Sequence, residues 1–431
     1  MREKSRLSSP VRAALGGRPS LEKSYLEMFW ATDSWINEMR EMRSLLRCLL
    51  AAVLLCLLMP RLNYSDSSPG QPDAARGWRE ATTGYEFSFP GDHYSHPDTK
   101  IEWWYYTGNL ESKTGRRFGY QLTFFRVGVV RDVANASRWA LRDLYLAHFA
   151  ITDIDRQTFR SFERVNRAGI GWAGADIESR VSNGDRNSDS PINVWNEDWA
   201  AAIRTGRQTL FAKEEDCDIN LTLAPLKSEV IHGIDGISQK GPSAGNASHY
   251  YSLSRLDTSG QIVVGGESFE VTGLSWMDHE FGTSFLDDEQ IGWNWFSLQL
   301  EDGRDLMLFE IRRQDGSVDS RSSGTLIESD GAPIHLGHEE FSLLPLQKWR
   351  SAASGATYPI GWAVEVPRFG LHLDVTATVE DQELRTPEST GVTYWEGSVT
   401  TQGKLGDKKV RGRGYLEMTG YTDQGIGEVL R

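Results

Sequence analysis

The sequence predicts an all-β protein built from two tandem antiparallel β-barrels. Three observations predict it. Aromatic residues make up 11% of the 431-residue chain and glycine occurs 42 times, a pairing that suits short strands and tight turns better than helices. Beyond residues 45–59 no segment of helical length carries a strong helical period, whereas strict alternation recurs. The chain also repeats itself: residues 101–111 (IEWWYYTGNLE) lie without gaps on 291–301 (IGWNWFSLQLE).

Residues 45–59 read LLRCLLAAVLLCLLM, with Arg40, Arg43 and Arg47 at or before their start. The uncharged run 48–59 has the length of a signal-peptide core and is short for a bilayer span. Taken as 43–60, this segment predicts an exported protein, periplasmic or secreted. Roughly 40 polar residues stand before it, which implies translation from Met39 or Met42. An N-terminal anchor with a short inside tail is the alternative. Neither Cys48 nor Cys56 follows a small residue, so no lipid-anchored cysteine is indicated. Cys217 stands alone after the segment, which leaves the exported chain without an internal disulfide and makes buried area its source of stability. Residues 61–78, with several Ser, Pro and Gly, read as a flexible lead-in, so the folded units are expected to begin at residue 79. The net charge of −14 argues against nucleic-acid and anionic-membrane partners, and the membrane enters only through the signal or anchor.

The first unit, 79–284, opens on 85–89 (YEFSF), where alternation predicts a half-buried strand. A polar turn carrying His93 and His96 follows. Residues 101–107 are too aromatic for a solvent-facing helix and read as a strand, returned through a turn at 111–117 into 118–127 as a hairpin. Alternation sets Glu102, Trp104 and Tyr106 on one face, where a buried carboxylate needs a partner; Arg126 on the returning strand is the candidate. Residues 144–153 form another strand, with His148 on the face of Leu146 and Ala150. The stretch 166–199, rich in Gly, Asn, Asp and Ser, reads as an irregular loop, either a lid or loosely ordered.

The second unit, 285–431, begins on the repeat: Trp103 meets Trp293, Tyr106 meets Phe296 and Thr107 meets Ser297. Asp302-Gly303 is a good hairpin turn into a returning strand. Near the ends, 270–273 (EVTG) is laid on 417–420 (EMTG), and Tyr250-Tyr251 on Tyr394-Trp395. Closing each antiparallel sheet into a barrel removes exposed edges and can leave an apolar cup for one ligand. Between the units, 276–290 sets Asp278, Glu280, Asp287, Asp288 and Glu289 among Trp276, His279 and Phe281. Burying carboxylates unpaired is costly, so this segment either clamps the two halves together or lines a site.

Seven stretches carry a resemblance: HPDTKIEWWYYTGNL (96–110), LAHFAITD (146–153), HGIDGISQKG (232–241), SHYYSLSRL (248–256), SWMDHEFGTS (275–284), GWNWFSLQLEDGRDLMLFEIR (292–312) and GRGYLEMTGY (412–421). In that order they resemble the carotenoid 1,2-hydratase and AttH-like family, whose members are often labelled secreted hydrolases. The resemblance covers nearly all of the chain after the export segment. It implies a pair of lipocalin-like, calycin-type barrels, in agreement with the repeat. It also implies a hydrophobic isoprenoid- or lipid-like small molecule as partner. Carotenoid hydratases add water to a terminal isoprenoid double bond with no redox cofactor, and related fungal proteins hydrate prenylated phenolics. Members of the AttH branch, which an exported chain resembles more, are associated with ABC transporter components.

Hydrating an isolated alkene means protonating carbon to a tertiary cation and then delivering water. The acid must stay protonated in a desolvated site, aromatic faces must steady the cation, and a base must orient the water. On this reading Asp278 is the acid and His279 or Glu280 orients the water. Trp276, Trp293, Trp295 and Tyr105 form the aromatic wall, with Glu102 and His148 as further binding candidates. A purely structural role stands beside each: 278–280 as salt links between the barrels, Glu102 as the ion partner of Arg126, His148 as a satisfied core histidine. His93 and His96 lack a third ligand at diagnostic spacing, and His279-Glu280 lacks the second His of a zinc-protease helix, so no metal is expected. Residues 273–277 lack the second Gly of a nucleophile elbow. Glu214, Glu215, Asp216 and Asp218 around Cys217 oppose a thiolate. The hydrolase label thus finds no support, and no phosphate loop is visible. Three readings remain: a cofactor-independent hydratase, a periplasmic carrier of a lipid-like molecule serving an ABC transporter, and a structural or surface-interaction protein.

Overall fold

Strands with one apolar and one polar edge of alternation must bury the apolar side, and here they do so in two antiparallel sheets. The computed structural model describes residues 77–131, 137, 140–177, 191–204, 206–284 and 286–422; the export segment 43–60 lies outside them. The first sheet contains β1 (Ile101–Ser112), β2 (Arg117–Gly128), β3 (Asp143–Asp153), β4 (Thr158–Arg167), β5 (Ala173–Ala175), β6 (Ile192–Asn196), β7 (Trp199–Arg204), β8 (Arg207–Glu214), β9 (Cys217–Pro225), the short β10 (Val230–Ile231) and β11 (Ser238–Gln239), and the long pair β12 (Ala247–Val264) and β13 (Glu267–Ser284). The second contains β14 (Gln290–Leu300), β15 (Asp305–Arg313), β16 (Ser323–Ile327), β17 (Pro333–Gly337), β18 (Ser342–Arg350), β19 (Thr357–Val366), β20 (Leu371–Ala377), β21 (Glu383–Thr386), β22 (Val392–Leu405) and β23 (Lys408–Met418). Both sheets belong to one compact unit.

The first sheet runs β4-β3-β2-β1-β13-β12-β9-β8-β7-β6-β5 and nearly closes into a barrel. Beside its ends Ala168 and Gly169, just past β4, form isolated backbone bridges to Ala173 of β5, and side chains tie the same region: Arg164 Nη2 donates to Glu214 Oε2 at 2.7 Å and Asn196 Nδ2 to the Tyr145 carbonyl at 3.1 Å. The second sheet, β17-β16-β15-β14-β23-β22-β20-β19-β18, stays open as a half-barrel. Tandem β-barrel architecture therefore holds, with one barrel incomplete.

Two expectations change. Residues 85–89 are not a strand. Their alternation is met without a ladder, because Phe87 and Phe89 pack on Tyr251 as an extended cover over the barrel core. Of the stretch 166–199, read as irregular, Ala173–Ala175 and Ile192–Asn196 are strands that pair with each other, while 178–190 lie outside the described residues.

The aromatic run of β1 explains where the cores sit. Trp104 and Tyr106 point into the barrel and join Phe124, Phe149, Trp199 and Tyr251, so the interior is filled with rings. Trp103 and Tyr105 point the other way, onto Trp295, Phe309 and Tyr415 of the second sheet. One strand thus serves two cores, as alternation permits. The sheets approach closely: a Cβ on Gly119 would meet Ser398 Cβ and the Tyr415 hydroxyl at 2.8 Å. They are tied by Lys227 and Arg255, both from the first sheet's side, on the buried Asp305 of β15 at 2.8 and 2.7 Å.

The repeat is visible in the register. The first strand of each sheet pairs with the last, β1 with β13 and β14 with β23. Tyr105 stands opposite Asp278, and its repeat counterpart Trp295 stands opposite Glu417. Glu417 therefore occupies the place of Asp278, not that of Glu270, and the alignment of 270–273 on 417–420 was out of frame. The Tyr250 and Tyr394 match is in frame: Ser252, two residues on, faces Asp278, and Glu396, two residues on, faces Glu417.

Candidate active site

Among the described residues an aromatic-walled cleft lies between the sheets. It holds about 100 Å³ of water-accessible space, partly open to solvent, walled by Trp103, Tyr105, Phe125, Trp293, Trp295 and Phe309. Polar groups converge on it from both sheets: Lys240, Tyr250, Asp278 and Glu280 from one side, Tyr394, Glu396 and Glu417 from the other.

Asp278 is held from behind by three donors. Tyr250 Oη gives to Oδ2 at 2.7 Å, while Trp276 Nε1, at 2.5 Å, and Ser252 Oγ give to Oδ1. His232 Nε2 stands 2.6 Å behind Ser252 Oγ, and Trp295 Nε1 donates to Tyr250 Oη at 3.2 Å. Three donors favour the carboxylate, but burial outweighs them and pushes the Asp278 carboxyl up to about 7. Glu280, two residues on, faces the same cleft and is bound by Lys240 and Ser248. Lys240 also lies 5.2 Å from the Tyr250 ring centre.

His279 faces the other way. The three consecutive residues Asp278, His279 and Glu280 cannot act as one constellation on a strand, because the middle side chain leaves on the opposite face. His279 enters the barrel, where Nε2 lies 2.9 Å from Glu102 Oε1 and Nδ1 accepts from Tyr251 Oη at 3.0 Å. Burial pushes its imidazole down to about 4, so it is neutral. Glu102 is fully buried there as the hub of a network: Arg126 Nε donates to Oε2 at 2.9 Å, Ser95 Oγ to Oε2 at 2.7 Å, and His96 Nδ1 lies 2.8 Å from Oε1. Burial pushes the Glu102 carboxyl up, yet His279, His96 and Arg126 together hold it well below the usual carboxylate range. His96, Glu102 and His279 have the residue types of a metal site, their ligand atoms lying within 4.8 Å of one another. Their donors and acceptors are engaged with one another and with Arg126, which knots the three side chains together. His93 joins its rim through Tyr251 Oη at 2.7 Å.

Of the other residues singled out in the sequence, Tyr105, Trp293, Trp295 and His148 line the cleft, whereas Trp276 reaches it only through its bond to Asp278. His148 Nδ1 lies 2.7 Å from Tyr394 Oη and Nε2 2.9 Å from Ser389 Oγ, bonds that join the sheets; burial pushes it down to about 3. Sequence reasoning missed Glu396, Glu417, Tyr250, Tyr394 and Lys240. Cys217 is buried in the barrel core and burial pushes its thiol up to about 11. Iodoacetamide is therefore expected to leave it unmodified in the folded protein and to alkylate it only in denaturant, as read by intact mass.

Two packed antiparallel sheets with an acidic, aromatic-walled cleft between them define a protein of two lipocalin-like barrels, one of them incomplete. The chain belongs to the AttH-like family, whose sequence pattern matches residues 80–421. It is 35% identical to a protein of Nitrosomonas europaea described as an AttH, with a TM-score of 0.67 covering 79% of this chain and 98% of that one. A kievitone hydratase of Fusarium solani subsp. phaseoli is 25% identical over 229 residues, 50% of this chain and 61% of that protein. A dehydratase of Emericella nidulans is 22% identical over 210 residues, 46% of this chain and 57% of that protein. The chain thus spans less than two thirds of the length of these two curated relatives.

Proposed function

We propose that this chain adds water to, or removes it from, a carbon–carbon double bond of an apolar, isoprenoid-like molecule seated between the sheets. The observation that carries this reading is Asp278, a carboxyl on the cleft wall that burial pushes up to about 7. Such a group holds a proton at neutral pH and can give it to carbon. The faces of Trp293, Trp295 and Tyr105 attract the resulting tertiary cation. Kinship with both a hydratase and a dehydratase supports the same chemistry in either direction, since gain and loss of water pass through one cation.

The test is incubation of purified protein with a prenylated phenol and an acyclic carotenoid in heavy-oxygen water. The label should enter the product hydroxyl, and the rate should fall as pH rises through about 7, where Asp278 loses its proton. No label from any probe, or a rate that still climbs above that pH, removes the reading. The alternative is a carrier that, once exported, hands an apolar ligand to ABC transporter components. It requires an unaltered ligand extracted from the purified protein, together with no turnover.

A further inference from the structure

A proton donor alone does not complete a hydration, because the attacking water must lose a proton to something. His279 faces away from the cleft and Glu280 is bound to Lys240. The opposite wall holds the missing group. Glu396 on β22 and Glu417 on β23 are partners in register, so their carboxyls leave the same face side by side, about 5 Å apart at Cβ. Glu396 is 1% exposed, lines the cleft, and neither of its oxygens has a hydrogen-bond partner. Glu417 accepts from Trp293 Nε1 at 2.9 Å. The Tyr105 hydroxyl, across the cleft on β1, has no partner at ordinary hydrogen-bond distance either, and its nearest polar interaction is a long one with Glu396.

Two carboxyls side by side in a buried site cannot both ionise, so the pair holds one proton between them. Burial first, and the charge of Glu417 second, push Glu396 well above the carboxylate range. Burial lifts Glu417 to about 7, with Asp278 and Glu280 adding to it from the facing sheet. The remaining titratable groups turned on Glu396 are the phenols Tyr105, Tyr394 and Tyr415.

We infer that Glu396, backed by Glu417, is a second acid–base centre of the cleft, facing Asp278 across the bound molecule. This rests on the proposed hydration. In that direction Asp278 gives its proton to the alkene carbon and a C–H bond forms. The water oxygen then bonds to the cationic carbon, and one of its protons passes to the singly charged pair, which becomes neutral. Asp278, left as the anion, regains a proton when the product leaves and the pair releases one. Dehydration runs the same transfers backwards. Glu396, whose oxygens are unpaired, takes the proton of the water as its own passes to Glu417, which carries the charge of the pair.

The test compares Glu396→Gln, Glu396→Asp and Glu417→Gln with the unaltered protein on the same prenylated phenol, with folding followed by circular dichroism. Glu396→Gln should lose at least about a hundredfold in kcat while KM stays within about threefold. Glu396→Asp should keep measurable turnover, which separates lost chemistry from lost fold. Glu417→Gln should also lose turnover and should displace the pH limb set by the pair, because Glu396 must then ionise alone in a buried site. Turnover of Glu396→Gln within about threefold of the unaltered protein overturns the inference and leaves the role of Asp278 standing. Turnover by none of the proteins removes the hydration reading and this inference with it.

Discussion

Replacing Asp278 by Asn is expected to cut turnover roughly 10²–10⁴-fold while making the protein more stable at alkaline pH. The two effects share a cause. Burial holds the folded-state carboxyl at about 7, against 3.8 in the unfolded chain. A group whose folded pKa is raised contributes its stability in full below the unfolded value, and that stability is lost as pH rises to the folded one. Here the window runs from about 4 to about 7, and the cost above it is on the order of 4 kcal/mol. Asn never ionises, so the variant escapes that cost. It also keeps most of the geometry: its carbonyl can accept from Trp276 and Ser252, and its amide can give to the Tyr250 oxygen. Thermal unfolding at pH 5 and pH 8 checks the stability arm, which requires the variant's advantage to grow with pH. A variant that loses stability at pH 8 means that the carboxylate form holds the site together, and the acid role falls.

The second large effect lies on the other face of the same strands. Glu102→Leu is expected to destabilise the protein by about 3–5 kcal/mol, because it strands the buried guanidinium of Arg126. Arg126 retains the half-buried carboxylate of Asp143 at 3.1 Å and the carbonyls of His96 and Thr99, each at 2.8 Å, but its Nε loses its fully buried partner. Adding Arg126→Met should recover part of the loss, measured as urea midpoints of the single and double variants. Turnover per folded molecule should stay near that of the unaltered protein, since Glu102 does not line the cleft. A Glu102→Leu protein that folds but does not turn over would place the knot in the chemistry after all.

Much of the site was readable from residues in order. The aromatic wall followed from 101–107 and its repeat at 291–297, since four adjacent rings on a strand must serve both faces. Asp278 stood out as a carboxylate between Trp276 and Phe281, and Arg126 as the mate of Glu102, which it is at 2.9 Å. His279 was read with its neighbours as one constellation. The alternation that separated Glu102 from Trp103 separates His279 from Asp278 as well, and that signal was available. Glu396 and Glu417 were harder. Glu417 sits in a short motif that matches 270–273 by letters, and only the ladder opposite Trp295 shows that its counterpart is Asp278.

Alternation, aromatic content and the repeat were enough to determine two antiparallel sheets and the face on which most side chains fall, because those are local properties of a strand. They could not say what the outer faces meet. Whether a barrel is hollow or filled depends on ring volumes summed from many strands, and here they fill it. The cleft arises only where the outer face of the first sheet packs on the second. Only that packing brings Asp278 and Glu396 to one cleft and buries both, and that burial is what lifts their carboxyls above the usual range.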